Sequence, residues 1–138
     1  MQIFMPFPNL QKSVSCLDPD RLGNQVYREC KTLISGGWPN HPASKLWLPH
    51  KGAIALYALY GLDELTRRGK YYPDHYAFFN SLLEQAESTD PPPLTQTPEF
   101  CSGHRAALLA KNPAWYSRFG WTETPEPNTK LAYIWKLS

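Results

Sequence analysis

Proline placement is the sequence feature that most constrains this fold. The chain of 138 residues carries 14 prolines. Because proline lacks a backbone N–H and clashes with the preceding helical turn, it suits the start of a helix but not its interior. The sequence therefore predicts short helices joined by rigid turns, the first of them opened by Asp18 as cap and Pro19 in the first turn. It runs to about residue 34, and its buried stripe has helical spacing: Leu22, Val26, Cys30 and Leu33.

The same reading places four more helical regions along the chain. Gly36-Gly37 ends the first helix, with Trp38 expected as a packed indole. A short helix near 43–48 and a central helix over 50–68 follow, then a helix over 73–87 and a last region from about 102 that resumes after Pro113 and ends at Gly120. Residues 88–98 are predicted to be a loop without helix, and residues 131–137 an irregular tail docked on the core. The prediction is all-α: one compact domain, residues 1–138, of about four helices with long proline-rich loops.

Composition excludes several classes of protein. Cys16, Cys30 and Cys101 lack the close spacing of zinc or redox sites, so neither a disulfide scaffold nor a zinc finger is expected. The longest apolar stretch, residues 53–62, is about half of what a bilayer requires, and no membrane span is predicted. The first ten residues lack the pattern of a secretory signal, so the reducing cytoplasm is the expected compartment. The net charge of +2 is too small to indicate a polyanionic partner by itself.

One candidate functional surface lies on the first helix, opposite its buried stripe. At helical spacing this face carries Arg21, Gln25, Arg28, Glu29 and Thr32. One interpretation is a solvated face with ordinary ion pairs, which contribute little. The other is a phosphate-binding face with a single acid at its centre, because guanidinium forks match phosphate oxygens and a carboxylate among cations stays ionised beside a reacting sugar.

A second candidate surface lies in residues 111–121, where aromatic and cationic side chains alternate. This interleaving suits a nucleic-acid strand, whereas the spacing of Trp115 and Phe119 also suits core packing, and both interpretations stay open. The histidines have no metal-ligand spacing and are expected in turns, on the surface or in packing, with His104-Arg105 also placed to touch a DNA backbone. They are His41, His50, His75 and His104.

Three motifs in order make the sequence resemble the pyrimidine-dimer DNA glycosylase/AP lyase family, the phage UV-repair endonuclease type. The lead-in Leu17-Asp18-x-x-Arg21-Leu22 precedes Tyr27-Arg28-Glu29, as in the family's catalytic helix. The segment 113–116, Pro-Ala-Trp-Tyr, with an aromatic-Gly pair at 119–120, is similar to the family's C-terminal segment. The basic-Gly end of the central helix at 67–69 and the chain length also match.

The resemblance implies a DNA repair enzyme that excises UV-induced cyclobutane pyrimidine dimers from duplex DNA. The N-terminal α-amine is the nucleophile in this family: it displaces the base at C1′ and forms an imine, and β-elimination then cuts the strand. An α-amine suits this role because its pKa of about 8 leaves a neutral fraction at pH 7. Met1 takes the nucleophile position, since Gln2 is too bulky for ordinary Met removal, and Glu29 takes that of the catalytic carboxylate.

The resemblance also implies the binding residues and partners. DNA contacts are expected from Gln2, Arg21, Gln25, Arg28, Lys31, Trp115, Tyr116 and Arg118. The expected enzyme is a monomer without metal or other cofactor, acting on damaged duplex DNA in a bacterial or phage-infected cell. Three alternatives remain at this point: a glycosylase/lyase for another damaged or modified base, a catalytically inactive DNA-binding protein, and a helical interaction module whose aromatic side chains face a protein partner.

Overall fold

Prolines begin five of the α-helices, as their placement predicts. In the computed structural model, which describes residues 2–127, four of these helix starts also have a side-chain cap, and the Asp18 carboxylate accepts from Arg21 N at 2.9 Å. The α-helices are α1 Leu10–Ser15, α2 Pro19–Asn24, α3 Lys31–Ile34, α4 Pro42–Trp47, α5 Lys51–Arg67, α6 Pro73–Gln85, α7 Pro98–Lys111 and α8 Pro113–Tyr116. A π-helical segment, Gln25–Cys30, joins α2 to α3 without a break. Short 3-10 turns occupy Leu48–His50, Pro93–Gln96 and Ser117–Phe119.

Helix α5 is the centre of the core and packs against α1, the π-helical segment and α6. The four stripe residues predicted on the first helix are all fully buried. Gly61 permits the close crossing of α5 over the π-helical segment, because a Cβ there would lie 2.7 Å from Val26 Cγ2. Within residues 2–127 the fold is all-α, as predicted, and none of its helices has the length and apolar character needed to cross a bilayer.

The N-terminal segment, residues 2–6, has no regular secondary structure and is buried against the helices. Phe4 N donates to Gln25 Oε1 at 2.9 Å, and Tyr57 Oη donates to Phe4 O at 2.9 Å. Met5 N donates to His104 Nδ1 at 2.8 Å. The segment is therefore held by α5, α7 and the π-helical segment at once, and this fixes where Gln2 lies.

Some expectations about helices are corrected. Helix α1, capped by Asn9, was not predicted, because six residues with Leu10 and Val14 buried give too short a pattern to recognise. The loop 88–98 contains a 3-10 turn, which proline permits at its start. Helix α7 begins at Pro98, not near residue 102, because Thr97 caps it. The predicted tail at 131–137 lies outside the described residues.

Two side-chain expectations are wrong. Trp38 is not a packed indole: it is 43% exposed, in a left-handed backbone conformation with φ +49°. His104 cannot touch DNA from its place in this fold, because it is fully buried, with ring centroids 5.5 Å from Phe4 and 4.1 Å from Phe100. The neighbouring Arg105 is engaged within the protein, with Glu123 and Pro6 O as its partners.

Candidate active site

The motif Tyr27-Arg28-Glu29 lies entirely within the π-helical segment. π-Helical segments are rare in proteins, and many of those known lie at functional sites. The extra residue in the helical turn changes the directions in which the neighbouring side chains point. Tyr27 packs edge-on against Tyr72 and His75, with ring centroids 4.9 and 4.3 Å apart, and so joins the segment to the start of α6. Arg28 is exposed, and Glu29 faces a cleft.

This cleft has a volume of about 140 Å³ and brings together residues far apart in the sequence. Its lining consists of Gln2, Phe4, Arg21, Asn24, Gln25, Glu29 and Lys111. Two larger hollows, of about 430 and 270 Å³, are lined by other residues and contain none of the predicted site residues. The small cleft therefore combines one carboxylate with two cationic side chains and the N-terminal segment.

Glu29 is half-buried, and one of its oxygens, Oε2, is buried without a hydrogen-bond partner. Burial raises the pKa of the Glu29 carboxyl, while a hydrogen bond from the Gln2 backbone and the charge of Arg28 act in the opposite direction. A carboxyl group with a raised pKa and an unpartnered oxygen in a cleft is suited to accept and release a proton. Gln2 Oε1 is also buried and unpartnered, so two acceptor atoms belong to residues that line the cleft.

Gln25 has a different place from the one its helical spacing indicates. It is 2% exposed, and its Oε1 accepts from Phe4 N at 2.9 Å and from Tyr57 Oη at 3.0 Å. Its Nε2 donates to Gln2 O at 2.9 Å. Because its oxygen and one of its two N–H donors are engaged inside the protein, this side chain fixes the N-terminal segment beside Glu29.

Asp18 joins the two predicted surfaces. Its buried carboxylate accepts from Arg21 Nη1 at 3.2 Å and from Asn112 Nδ2 at 2.9 Å, and its backbone N–H donates to Tyr116 Oη at 3.0 Å. Tyr116 is fully buried, so the packing interpretation holds for this residue. The network joins the start of α2 to the junction of α7 and α8, and it sets Arg21 and Lys111 on the wall of one cleft.

Trp115 lies outside the cleft, between two arginines. The Arg118 and Arg68 guanidinium carbons lie 3.9 and 5.4 Å from its ring centroid, and its Nε1 donates to Cys16 O at 2.8 Å. Lys31 is also outside the cleft, with its ammonium 4.8 Å from the Phe78 ring centroid. Met1 lies outside the described residues.

Lys111 is a cleft residue that the predicted site residues do not include. Burial and the nearby charge of Arg21 lower its pKa, and the charge of Asp18 opposes them. Little in the sequence marks Lys111 as a site residue, because it is a single cation at the end of α7, two residues before the Pro-x-Trp-Tyr motif. Only the packing of α7 against α2 through Asp18 and Asn112 brings it near Glu29. Among the described residues no cluster of three or more His, Cys, Asp or Glu could hold a metal ion.

Within residues 2–127 an all-α fold gathers one half-buried carboxylate and two cationic side chains in one cleft, an arrangement that suits an enzyme acting on an anionic substrate. Residues 1–80 match the family model described as pyrimidine dimer DNA glycosylase. This is more than half of the chain, and the protein belongs to that family: it is a DNA repair enzyme, a DNA glycosylase. The comparisons with curated proteins and with solved structures give no match.

Proposed function

We propose that this protein excises cyclobutane pyrimidine dimers from duplex DNA and then acts as an AP lyase, with the α-amine of Met1 as nucleophile. The observation that carries the proposal is the position of Glu29, a half-buried carboxylate with an unpartnered oxygen, in the cleft that Gln2 also lines. Gln2 is the residue next to Met1 in the chain, and Gln25 and the Glu29 carboxylate both hydrogen-bond its backbone.

The chemistry needs a neutral amine and a group that moves protons. The amine lone pair forms a bond to C1′ while the bond from C1′ to the base breaks, and its electron pair leaves with the base. The amine then loses its proton, and its lone pair forms the C1′=N bond of the imine as the C1′–O4′ bond breaks and O4′ takes up a proton. Loss of a C2′ proton then forms the C2′=C3′ bond, and the 3′ phosphate leaves with the electron pair of the C3′–O bond. Glu29 would stabilise positive charge at C1′ and carry protons, for which its raised pKa suits it.

The cations around the cleft would hold the sugar-phosphate backbone. Arg21 and Lys111 line the cleft with Glu29, and Arg28 is exposed beside it. Guanidinium groups bind phosphate oxygens through two parallel hydrogen bonds, and an ammonium group acts as a point charge. The proposal therefore assigns phosphate contacts to these three residues, with Trp115 and Arg118 contacting the strand further from the lesion.

Borohydride trapping tests the amine mechanism directly. Tag-free protein is incubated with a duplex that contains one defined thymine dimer, beside an abasic duplex and an undamaged duplex, and the reduced adduct is located by mass spectrometry. We expect a covalent complex at the Met1 amine on the dimer and abasic duplexes. Trapping on the abasic duplex alone would move the base specificity to another lesion, and a panel of oxidised, alkylated and modified bases would find it.

Two variants sharpen this test. Two residues added before Met1 displace the amine, so trapping should be lost while DNA binding is kept. Glu29→Gln should abolish excision, whereas Glu84→Gln, which alters an exposed carboxylate on α6, should leave it unchanged. Trapping that survives the extension, or through a lysine instead of Met1, would overturn the proposed nucleophile.

A further inference from the structure

Trp38 is the most unusual residue of the described surface. Among residues 2–127 it is the one non-glycine residue with a positive φ, +49°, and it is also 43% exposed. In the same range no other aromatic ring contacts its indole. Bulky residues rarely adopt this backbone conformation, and when they do the surrounding structure must impose it, often at a functional site.

The loop around Trp38 is fixed by its neighbours on both sides. Gly37 N donates to Thr32 O at 2.8 Å, and a Cβ at Gly37 would lie 2.3 Å from Thr32 Cγ2, so only glycine fits here. On the other side Trp38 O accepts from His41 N at 3.1 Å. The backbone of this turn is therefore fixed on both sides of Trp38, and 43% of the Trp38 surface stays exposed.

This turn lies close to the candidate active site along the helix. Gly37 packs on Thr32, which follows Glu29 by three residues, a rise of about 4.5 Å along a helix. The elements on both sides of the loop carry an exposed cation, Arg28 before it and Lys45 after it. The turn that carries the exposed indole therefore packs on the helix about one turn beyond Glu29. Exposed cations on the elements before and after the loop suit the approach of a DNA backbone.

We propose that Trp38 inserts into the base stack of the bound duplex and fills the space left when a nucleotide is displaced at the damaged site. The inference rests on the proposed function and adds to it the residue that supports the distorted DNA. Insertion of such a side chain requires one base step to unstack, and the free-energy cost of unstacking is lowest at a damaged site. Stacking of the aromatic ring on the neighbouring base offsets this cost. The indole gives the largest stacking surface among the side chains, and its fixed turn limits the ordering needed on binding.

The test uses 2-aminopurine, whose fluorescence rises when it leaves the base stack. The probe is placed opposite a tetrahydrofuran abasic analogue, which no lyase can cleave, and binding and fluorescence are measured for wild type, Trp38→Ala, Trp38→Phe and Trp38→Gly. We expect wild type and Trp38→Phe to raise the fluorescence. Trp38→Ala and Trp38→Gly should lose this rise and bind the duplex about 10-fold more weakly.

Trp38→Gly separates stacking from a structural role, because glycine adopts positive φ without strain. It should unfold at a temperature at least as high as wild type while losing the fluorescence rise. Tyr71→Ala, which removes a more exposed aromatic side chain, serves as the control and should behave as wild type. A full fluorescence rise with Trp38→Ala would overturn the inference. Incision of a thymine-dimer duplex by wild-type protein, measured in parallel, reports on the proposed function separately.

Discussion

Single residues in this protein show a conflict between stability and chemistry. Glu29 keeps a buried oxygen without a partner, and burial raises its pKa. A buried acceptor that lacks a hydrogen bond costs free energy of folding, on the order of 1 kcal/mol or more. In the proposed mechanism this cost falls on the carboxylate that moves protons, as expected where reactivity is kept at the expense of stability.

Glu29→Gln should therefore inactivate the enzyme and stabilise it. For an acid whose pKa is raised by folding, the ionised form is disfavoured in the folded state, so the cost is present at pH 7 and disappears as the pH falls below the ordinary range of a glutamate. We expect a thermal midpoint higher by a few degrees at pH 7, about 1 kcal/mol. The gain should vanish near pH 4. Differential scanning calorimetry at the two pH values measures it, and a lower midpoint at pH 7 would contradict the assignment.

The buried imidazole of His104 should make the folded protein less stable in acid. Burial lowers its pKa to about 3, and its Nδ1 accepts from Met5 N, so the folded protein holds it neutral. The unfolded chain binds a proton near pH 6.5, so stability from this residue is present above that value and is lost as pH falls toward 3. Between pH 7 and 5 the free energy of unfolding should fall by about 2 kcal/mol because of this residue.

His104→Asn keeps an acceptor near the position of Nδ1 and has no proton to gain. Its unfolding free energy, measured by urea denaturation, should therefore change less between pH 7 and 5 than that of wild type. Identical pH profiles for the two proteins would show that His104 is not the titrating group.

At the scale of elements, the crossing of α5 over the π-helical segment holds the motif in place. Gly61 makes this approach possible, because its missing Cβ leaves room for Val26. Gln25, the residue before Val26, joins the π-helical segment to the N-terminal segment through hydrogen bonds of its amide oxygen and nitrogen. The carboxylate and the N-terminal segment are thus positioned by one packed unit.

Gly61→Ala should disturb this unit. A Cβ 2.7 Å from Val26 Cγ2 forces the helices apart, and we expect a loss of about 1–3 kcal/mol together with reduced excision. Gly23→Ala is the matched control: nothing lies within 4 Å of its Cβ position, so alanine should stabilise α2 by about 0.5–1 kcal/mol. Chemical denaturation measures the change in the free energy of unfolding for each variant. Equal stabilisation by the two substitutions would show that the crossing of α5 over the π-helical segment has room for a Cβ at residue 61.

At the scale of the whole molecule, the net charge is only +2, but cationic side chains are concentrated around the cleft that contains Glu29. The Asp18 network sets Arg21 and Lys111 on one cleft, and Arg28 is exposed on the adjoining segment. DNA affinity should therefore depend on salt through a few specific contacts and not through a general basic surface. We also propose that a single chain is the active unit, which sedimentation of the protein bound to DNA would test.

Arg28→Ala should reduce the slope of log affinity against log salt by about 1. The change is expected with undamaged as well as damaged duplex, because phosphate contacts carry no sequence or lesion information. Lys51→Ala, at the start of α5 and in a different hollow, should leave the slope unchanged. Fluorescence anisotropy titrations over a series of salt concentrations measure both slopes, and equal slopes for Arg28→Ala and wild type would remove Arg28 from the interface.

The sequence by itself determined the helical class, the main helix positions and the motif that holds the acid. Prolines and periodic apolar residues act locally, so the helix starts at Pro19 and Pro73 and the buried stripe of the first helix could be predicted from them. The family resemblance from Tyr27-Arg28-Glu29 was equally local, and the match over residues 1–80 confirmed it.

Tertiary structure alone decided which side chains share the cleft. A helical period of 3.6 placed Gln25 beside Arg28, but the π-helical segment and the contact with Phe4 turned it inward. Lys111 reached the cleft because its neighbour Asn112 donates a hydrogen bond to Asp18, 94 positions earlier in the chain. Trp38 stayed outside the core because its turn packs on Thr32. Each of these outcomes depends on contacts between distant segments, and the energy of such contacts exceeds the local preferences that a sequence pattern expresses.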